Sequence, residues 1–218
     1  IILNIKQIRL KKQIDDVDNE KINVIVGNQK TLKASDLQGI KFRVPGSPML
    51  QQFVRLLGAN PTPVAWGETP SAMKQGVVDA CDVTLTALWN FRFHDILGHI
   101  TFANSVHGGQ VWSCNLDWYN NLPGNVREGL DYASEVTSRQ AYAKMPAAES
   151  YAKADMMKSG VKFHSLSDDA MAEIVNLGGH QRSEYDKFKI KFAGSLATFD
   201  KLNEAAGQIN PRYIIDSI

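Results

Sequence analysis

Apolar and polar positions change period several times along this chain, and the changes mark its elements. Ile40, Phe42 and Val44 alternate with Lys41 and Arg43, the period of a strand, which Pro45 ends because it has no N–H for a ladder. Ser47 suits a helix cap and Pro48 a first helical position, and Leu50, Phe53, Val54 and Leu57 recur at helical spacing. Gly58 supplies a left-handed stop. Pro61 and Pro63 bracket a short extended run into Val64 and Trp66. A second helix is predicted over about Thr69 to Gln75, stopping at Gly76, and Val77 to Cys81 forms the next strand. This order predicts an α/β unit whose functional groups lie where the parallel strands end.

The remaining pattern is coarser. Thr84 to Phe93 reads as a helix with Leu85, Leu88 and Trp89 on one face, and His99 to Ala103 as a strand. Gly108 and Gly109 turn the chain into a strand over Gln110 to Cys114, and Pro123 ends a short helix. A long helix is predicted from Asn125, with Val126, Leu130, Ala133 and Val136 in helical period and Pro146 expected to kink or break it. Val161 to His164 reads as a strand. Ser167 caps a helix with Asp168 and Asp169 in its first turn, and Glu184 to Ile209 is helical and amphipathic. Residues 1–30 hold a basic cluster, an acidic cluster and an apolar strand, Ile22 to Val26.

Composition narrows the class. The chain has 218 residues, 44% hydrophobic and 22% charged, enough for one large domain or two small lobes. A net charge of +1 with mixed signs gives no nucleic-acid or anionic-membrane footprint. No run approaches the ~20 apolar residues of a membrane span. The sequence opens at Ile1 without a signal peptide and is read as a processed or truncated chain. Cys81 and Cys114 fall in predicted strands and form no metal or redox motif, so two buried thiols are expected, with a disulfide as the alternative. Phosphate-binding glycine loops, nucleophile elbows and zinc-binding histidine pairs are absent, and no metal or cofactor is expected. His94 and His99 would point to different faces of a helix, and His107 reads as a solvated turn residue.

Arg43 is what remains. A guanidinium on a core strand must meet a carboxylate or water, since it stays charged and is costly to bury unpaired. Its planar fork suits bidentate capture of an organic acid. The residues alone leave two readings open: a ligand anchor, or a strand-end arginine that is solvated or paired to Asp79 or Asp82.

The stretches SDLQGIKFRVPGSPM and LGANPTPVAWGETPSAMKQGVVDA resemble the core signature of the solute-binding proteins of tripartite ATP-independent periplasmic (TRAP) transporters. VWSCNLDWYNNLP resembles the following part more weakly, so that the likeness covers about Thr31 to Asn210. It implies that Arg43, in K-x-R-V-P, holds a ligand carboxylate, and that Trp66 lines the pocket, with core packing as the alternative. Val83 stands where many members carry a ligand-binding asparagine. Asp82 stands where some carry a glutamate that in a subset holds a metal ion; here it would accept a hydroxyl or ammonium from the ligand, or serve as a helix N-terminal acid. Asn104 and Ser105 align with a loop that reaches the cleft.

The resemblance implies an α/β fold of periplasmic-binding-protein type II lobes with long connecting helices. Residues 1–30 do not resemble the family, whose first lobe is on the order of 100 residues at that place, so that lobe is expected to be largely missing or altered. The expected organisation is an unassigned segment 1–30, a ligand-binding lobe 31–122, and long helices with the remainder of the lobes over 123–218. The expected function is capture of a small carboxylate for TRAP membrane subunits in the periplasm, without catalysis or nucleic acid, by a monomer with a dimer as alternative. Trp66 and Trp89 suggest room for a bulky acid. Two other classes stay open: a domain-swapped scaffold without ligand, and an enzyme on an organic acid using Arg43 as anchor with Asp82 or His107 as acid–base.

Overall fold

The computed structural model describes residues 23–27, 30–103 and 113–209. One mixed sheet organises them, with strands β1 (Asn23–Gly27), β2 (Lys41–Val44), β3 (Asn60–Pro63), β4 (Ala80–Thr84), β5 (His99–Phe102) and β6 (Lys162–Ser165) in the order β3-β2-β4-β1-β5-β6. β2 runs parallel to β3 and β4, and β5 parallel to β6; β1 lies between the two groups, antiparallel to both β4 and β5. Strands from all three expected segments therefore share one sheet.

The helices are α1 (Pro48–Leu56), α2 (Thr69–Lys74), α3 (Leu85–Asn90), α4 (Leu116–Asn120), α5 (Gly124–Lys158), α6 (Asp168–Gly178), α7 (Asp186–Ala193) and α8 (Leu196–Ile209). Ser47 caps α1 by accepting from the Leu50 N–H, and Ser167 caps α6 by accepting from the Ala170 N–H, as their positions predict. Both faces of the sheet are covered. On one, Cys81, Ile100, Leu85, Leu88 and Phe93 meet Ala152 and Met156 of α5. On the other, Phe42, Val44 and Ala80 meet Val54 of α1 and Ile174 of α6.

Several boundaries differ from expectation. The strand expected over Val77–Cys81 starts at Ala80, because Val77 and Val78 still donate to the Ala72 carbonyl as the chain leaves α2. The predicted Thr84–Phe93 helix ends at Asn90. Expected to kink or break at Pro146, α5 continues as one helix of 35 residues, its C-terminal turns fixed by Ala152 and Met156 in the core. Its N-terminal stripe packs little among the described residues: Val126, Leu130 and Ala133 are exposed. The final helical stretch is two helices, because Gly194 at φ 83° turns the chain between α7 and α8. Most of the strand expected over Gln110–Cys114, like the Gly108–Gly109 turn, lies outside the described residues; Cys114 itself is exposed and in no strand, which corrects its expected burial.

At the β5–β6 edge, His99 Nδ1 lies 2.9 Å from His164 Nε2, a spacing that requires one nitrogen to donate and the other to accept. Burial, and then the charges of His99, Lys30 and Lys162, hold the His164 pKa below the usual histidine value; burial and Lys189 do the same at His180, opposed by a hydrogen bond to Asn203. For a histidine whose folded pKa is depressed, the unfolded state binds more protons, so the stability contribution is complete above the unfolded value of 6.5 and is lost as pH falls through the folded value. The unfolding midpoint is expected to fall between pH 7 and pH 5, before carboxylates titrate. Thermal unfolding of the chain and of His164→Gln/His180→Gln checks this: the double variant should lose most of that slope.

Candidate functional site

Arg43 is the third residue of β2 and only 7% exposed. Its neighbours Phe42 and Val44 face the α1–α6 side, so the strand's alternation turns Arg43 to the α3–α5 side. Its Nε donates to the Val64 carbonyl at 3.0 Å, and its Cζ lies 5.4 Å from the centre of the Trp66 ring. Asp79 is not its partner: that carboxylate accepts from the Lys41 N–H at 3.0 Å and lies 3.4 Å from Lys41 Nζ. Among the described residues, no carboxylate forms an ion pair with Arg43. Burial lowers its pKa, partly opposed by Cys81. Cys81 is its register partner on β4, and burial, reinforced by Asp82 and opposed by Arg43, pushes that thiol up to about 12.

Trp66 opens a short 3-10 turn, Trp66–Glu68, which follows β3 after Val64 and Ala65. The buried Thr69 holds this turn by donating to the Ala65 carbonyl at 3.0 Å. Val83 shares the face of Cys81, hence that of Arg43, and packs half-buried with Trp66 and Trp89 against the same core. Asp82 alternates with both and takes the opposite face, that of Ala80, Phe42 and Val44. The structure thus brings Arg43, Trp66 and Val83 to one side of the sheet and sets Asp82 on the other. Asp82 belongs to β4 and not to the first turn of α3. Asn104, Ser105 and His107 lie outside the described residues.

Trp89 points to the long helix: its indole N–H donates to Asp155 Oδ2 at 2.9 Å, and its ring meets Tyr151 edge to face. Two residues not singled out by the sequence complete the surroundings of Trp66. Phe93 stacks on it with ring centres 5.3 Å apart, and Phe91 meets it edge-on at 5.0 Å. The only local signal for them was a phenylalanine on each side of Arg92 at a helix end. Beside this cluster, Val64, Gly67, Glu68 and Gln75 line an open hollow against α2, which Arg43 does not line. No group of three or more acidic, histidine or cysteine side chains able to hold a metal occurs among the described residues.

A family model described as "Bacterial extracellular solute-binding protein, family 7" (DctP) matches residues 17–187. The chain belongs to this family. Among its family 7 relatives, the C4-dicarboxylate-binding periplasmic protein DctP of Rhodobacter capsulatus is 28% identical over 152 residues, 68% of this chain and 45% of that protein. The ectoine/5-hydroxyectoine-binding periplasmic protein UehA of Ruegeria pomeroyi is 30% identical over 100 residues, 46% of this chain and 30% of that protein. A TRAP periplasmic solute-binding protein of Xanthobacter autotrophicus, solved with bound β-D-galacturonate, superposes with a TM-score of 0.72 at 19% identity, covering 85% of this chain and 59% of that one. The fold is that of TRAP periplasmic binding proteins in part, since the chain spans about half the length of the curated relatives it matches. The family and these neighbours are substrate-binding proteins and not enzymes.

The two thiols of this family 7 chain should behave differently. Cys114 is free and exposed, while Cys81 is free, buried and held in its protonated form. A disulfide thiol reagent is expected to titrate one thiol per native chain at pH 8 and both in denaturant; fast reaction of two in the native state would contradict the environment assigned to Cys81.

Proposed function

We propose that this chain captures a small organic acid for a TRAP-type transporter, with Arg43 holding the ligand's carboxylate. The observation that carries the reading is a buried guanidinium whose Nε is taken by the Val64 carbonyl and which no carboxylate pairs among the described residues. Its terminal Nη1 and Nη2 groups then present the fork that matches a carboxylate end-on. Burial disfavours its charge, and an incoming anion would relieve that cost. Relatives support the class: one is named for C4-dicarboxylates, and similar structures were solved with galacturonate, L-malate and orotic acid.

In this reading Val83 gives the site an apolar side next to the clamp, and Asn104 and Ser105 supply further ligand contacts. Asp82, across the sheet from Arg43, serves as a ligand contact only if the ligand reaches past the strand end. The protein works in the periplasm, where closure of two lobes over the ligand forms the complex that the membrane subunits receive. The lobe boundaries at 30 and 122 belong to the same proposal.

A panel of galacturonate, malate and orotate, read by thermal shift against the chain and Arg43→Met, tests the clamp. Methionine keeps the stem's packing and removes the charge. A ligand at about 100 times its Kd adds ~2.7 kcal/mol, which for this size is a midpoint rise of roughly 5–10 °C. Arg43→Met is expected to unfold no earlier than the parent without ligand, since it loses a desolvated charge, and to weaken binding at least a hundredfold. Equal affinity in parent and variant would remove the assignment.

A further inference from the structure

Among the described residues, Arg92 is the one non-glycine residue in the left-handed region, at φ 56° and ψ 37°. Such backbone is unfavourable for a residue with a Cβ, and it persists where neighbouring packing enforces it. Here it reverses the chain at the end of α3, between Phe91 and Phe93. In a continuing helix those two side chains would stand about 160° apart around the axis. With the turn in place, both reach the same indole: Phe91 in a T-shaped contact at 72° between planes, Phe93 by a near-parallel stack at 12°. Arg92 closes the turn through Nε to Asp95 Oδ2 at 3.0 Å.

The third neighbour of that indole is the Arg43 guanidinium. Two contacts hold the guanidinium, the Val64 carbonyl at its Nε and the Trp66 ring, over which its Cζ lies. Both come from one short loop after β3, Val64 to Trp66, which lies on the sheet's α3–α5 side. Phe93 is fully buried in the core there, whereas Phe91 is 48% exposed. The indole is therefore engaged by two phenyl rings and one cation.

We infer that the Phe91-Arg92-Phe93 turn is the positioning device of the Arg43 clamp. Phe91 and Phe93 fix Trp66, Trp66 fixes the guanidinium, and these three are positioning residues acting through Arg43. Trp66 is on this view a support for the clamp and not the ligand's stacking platform. The consequence for binding rests on the carboxylate-clamp reading; the packing chain itself does not.

The test reads Arg43 directly, by NMR of the chain labelled with 15N-arginine. The Arg43 Nε–Hε signal, assigned by its loss in Arg43→Lys, is expected to be shifted by the Trp66 ring current and protected from exchange by the Val64 carbonyl. Phe91→Ala alters an exposed side chain and should leave the fold intact; Phe93→Leu keeps an apolar core residue. Each is expected to move the signal toward the free-arginine position and to speed its exchange at least tenfold. Trp66→Phe should retain protection and Trp66→Leu lose it. Galacturonate, malate and orotate titrations of the same variants should show at least tenfold weaker binding in Phe91→Ala, Phe93→Leu and Trp66→Leu. An unmoved, equally protected signal in folded Phe91→Ala and Phe93→Leu overturns the inference whatever the ligand result. Signals that move as expected, in a parent chain that binds no acid, uphold the positioning chain and overturn the clamp reading instead.

Discussion

The sheet depends on a single five-residue strand. Without Asn23–Gly27 the strands would be a parallel group, β3-β2-β4, and a separate pair, β5-β6; β1 joins them by antiparallel ladders on both of its edges. The join is tight. A Cβ at Gly27 would stand 2.9 Å from the Asp79 carbonyl oxygen, so only glycine allows this approach. Asp79 in turn receives the Lys41 N–H at the start of β2. The end of β1, the start of β2 and the approach to β4 thus converge on one point, and Arg43 lies two residues beyond it. The position of Arg43 follows from how β1 is seated.

The unit around Arg43 was legible because its signals are local. Ser47, Pro48 and Gly58 act within a few residues of themselves, and β2 and α1 form where those residues predict. What was not legible depends on partners far along the chain. Ile22 to Val26 reads as a strand in isolation, but nothing in it announces a central antiparallel place, since that is set by β4 and β5. The start of β4 moved from Val77 to Ala80 because the residues leaving α2 still bond to it. The apolar period of early α5 was real, yet Val126 and Leu130 remain exposed among the described residues; periodicity shows a face and not its partner.

The site was readable by residue type and unreadable by phase. Arg43 and Trp66 stand out by their chemistry, and Val83 by a departure from the family pattern. Phe91 and Phe93 gave no comparable signal, because an ordinary helix would part them. Only the left-handed Arg92 brings them together, and such a turn at arginine is not announced by its residue type. Its strain, about 1 kcal/mol or more, is offset locally by the burial of Phe93 against the core.

Charge placement then sets Arg43 apart from the paired cations. Arg92 pairs with Asp95, Arg182 with Glu184 and Lys189 with Asp186, at solvated or partly solvated positions where water screens the attraction. Arg43 is buried and has none of these carboxylates. An acid stands close by on the neighbouring strand, since Asp82 follows Cys81, the register partner of Arg43. The pleat turns Asp82 to the opposite face, and a one-residue change of phase would have put an acid beside the guanidinium. A structural arginine gains from such a neighbour. One that must accept a carboxylate from outside gains from its absence, because an internal acid would compete for the same fork. The pairing of β2 with β4 therefore does more than build the sheet: its register keeps the Nη groups from internal neutralisation, while Val64 and Trp66 hold the guanidinium in place.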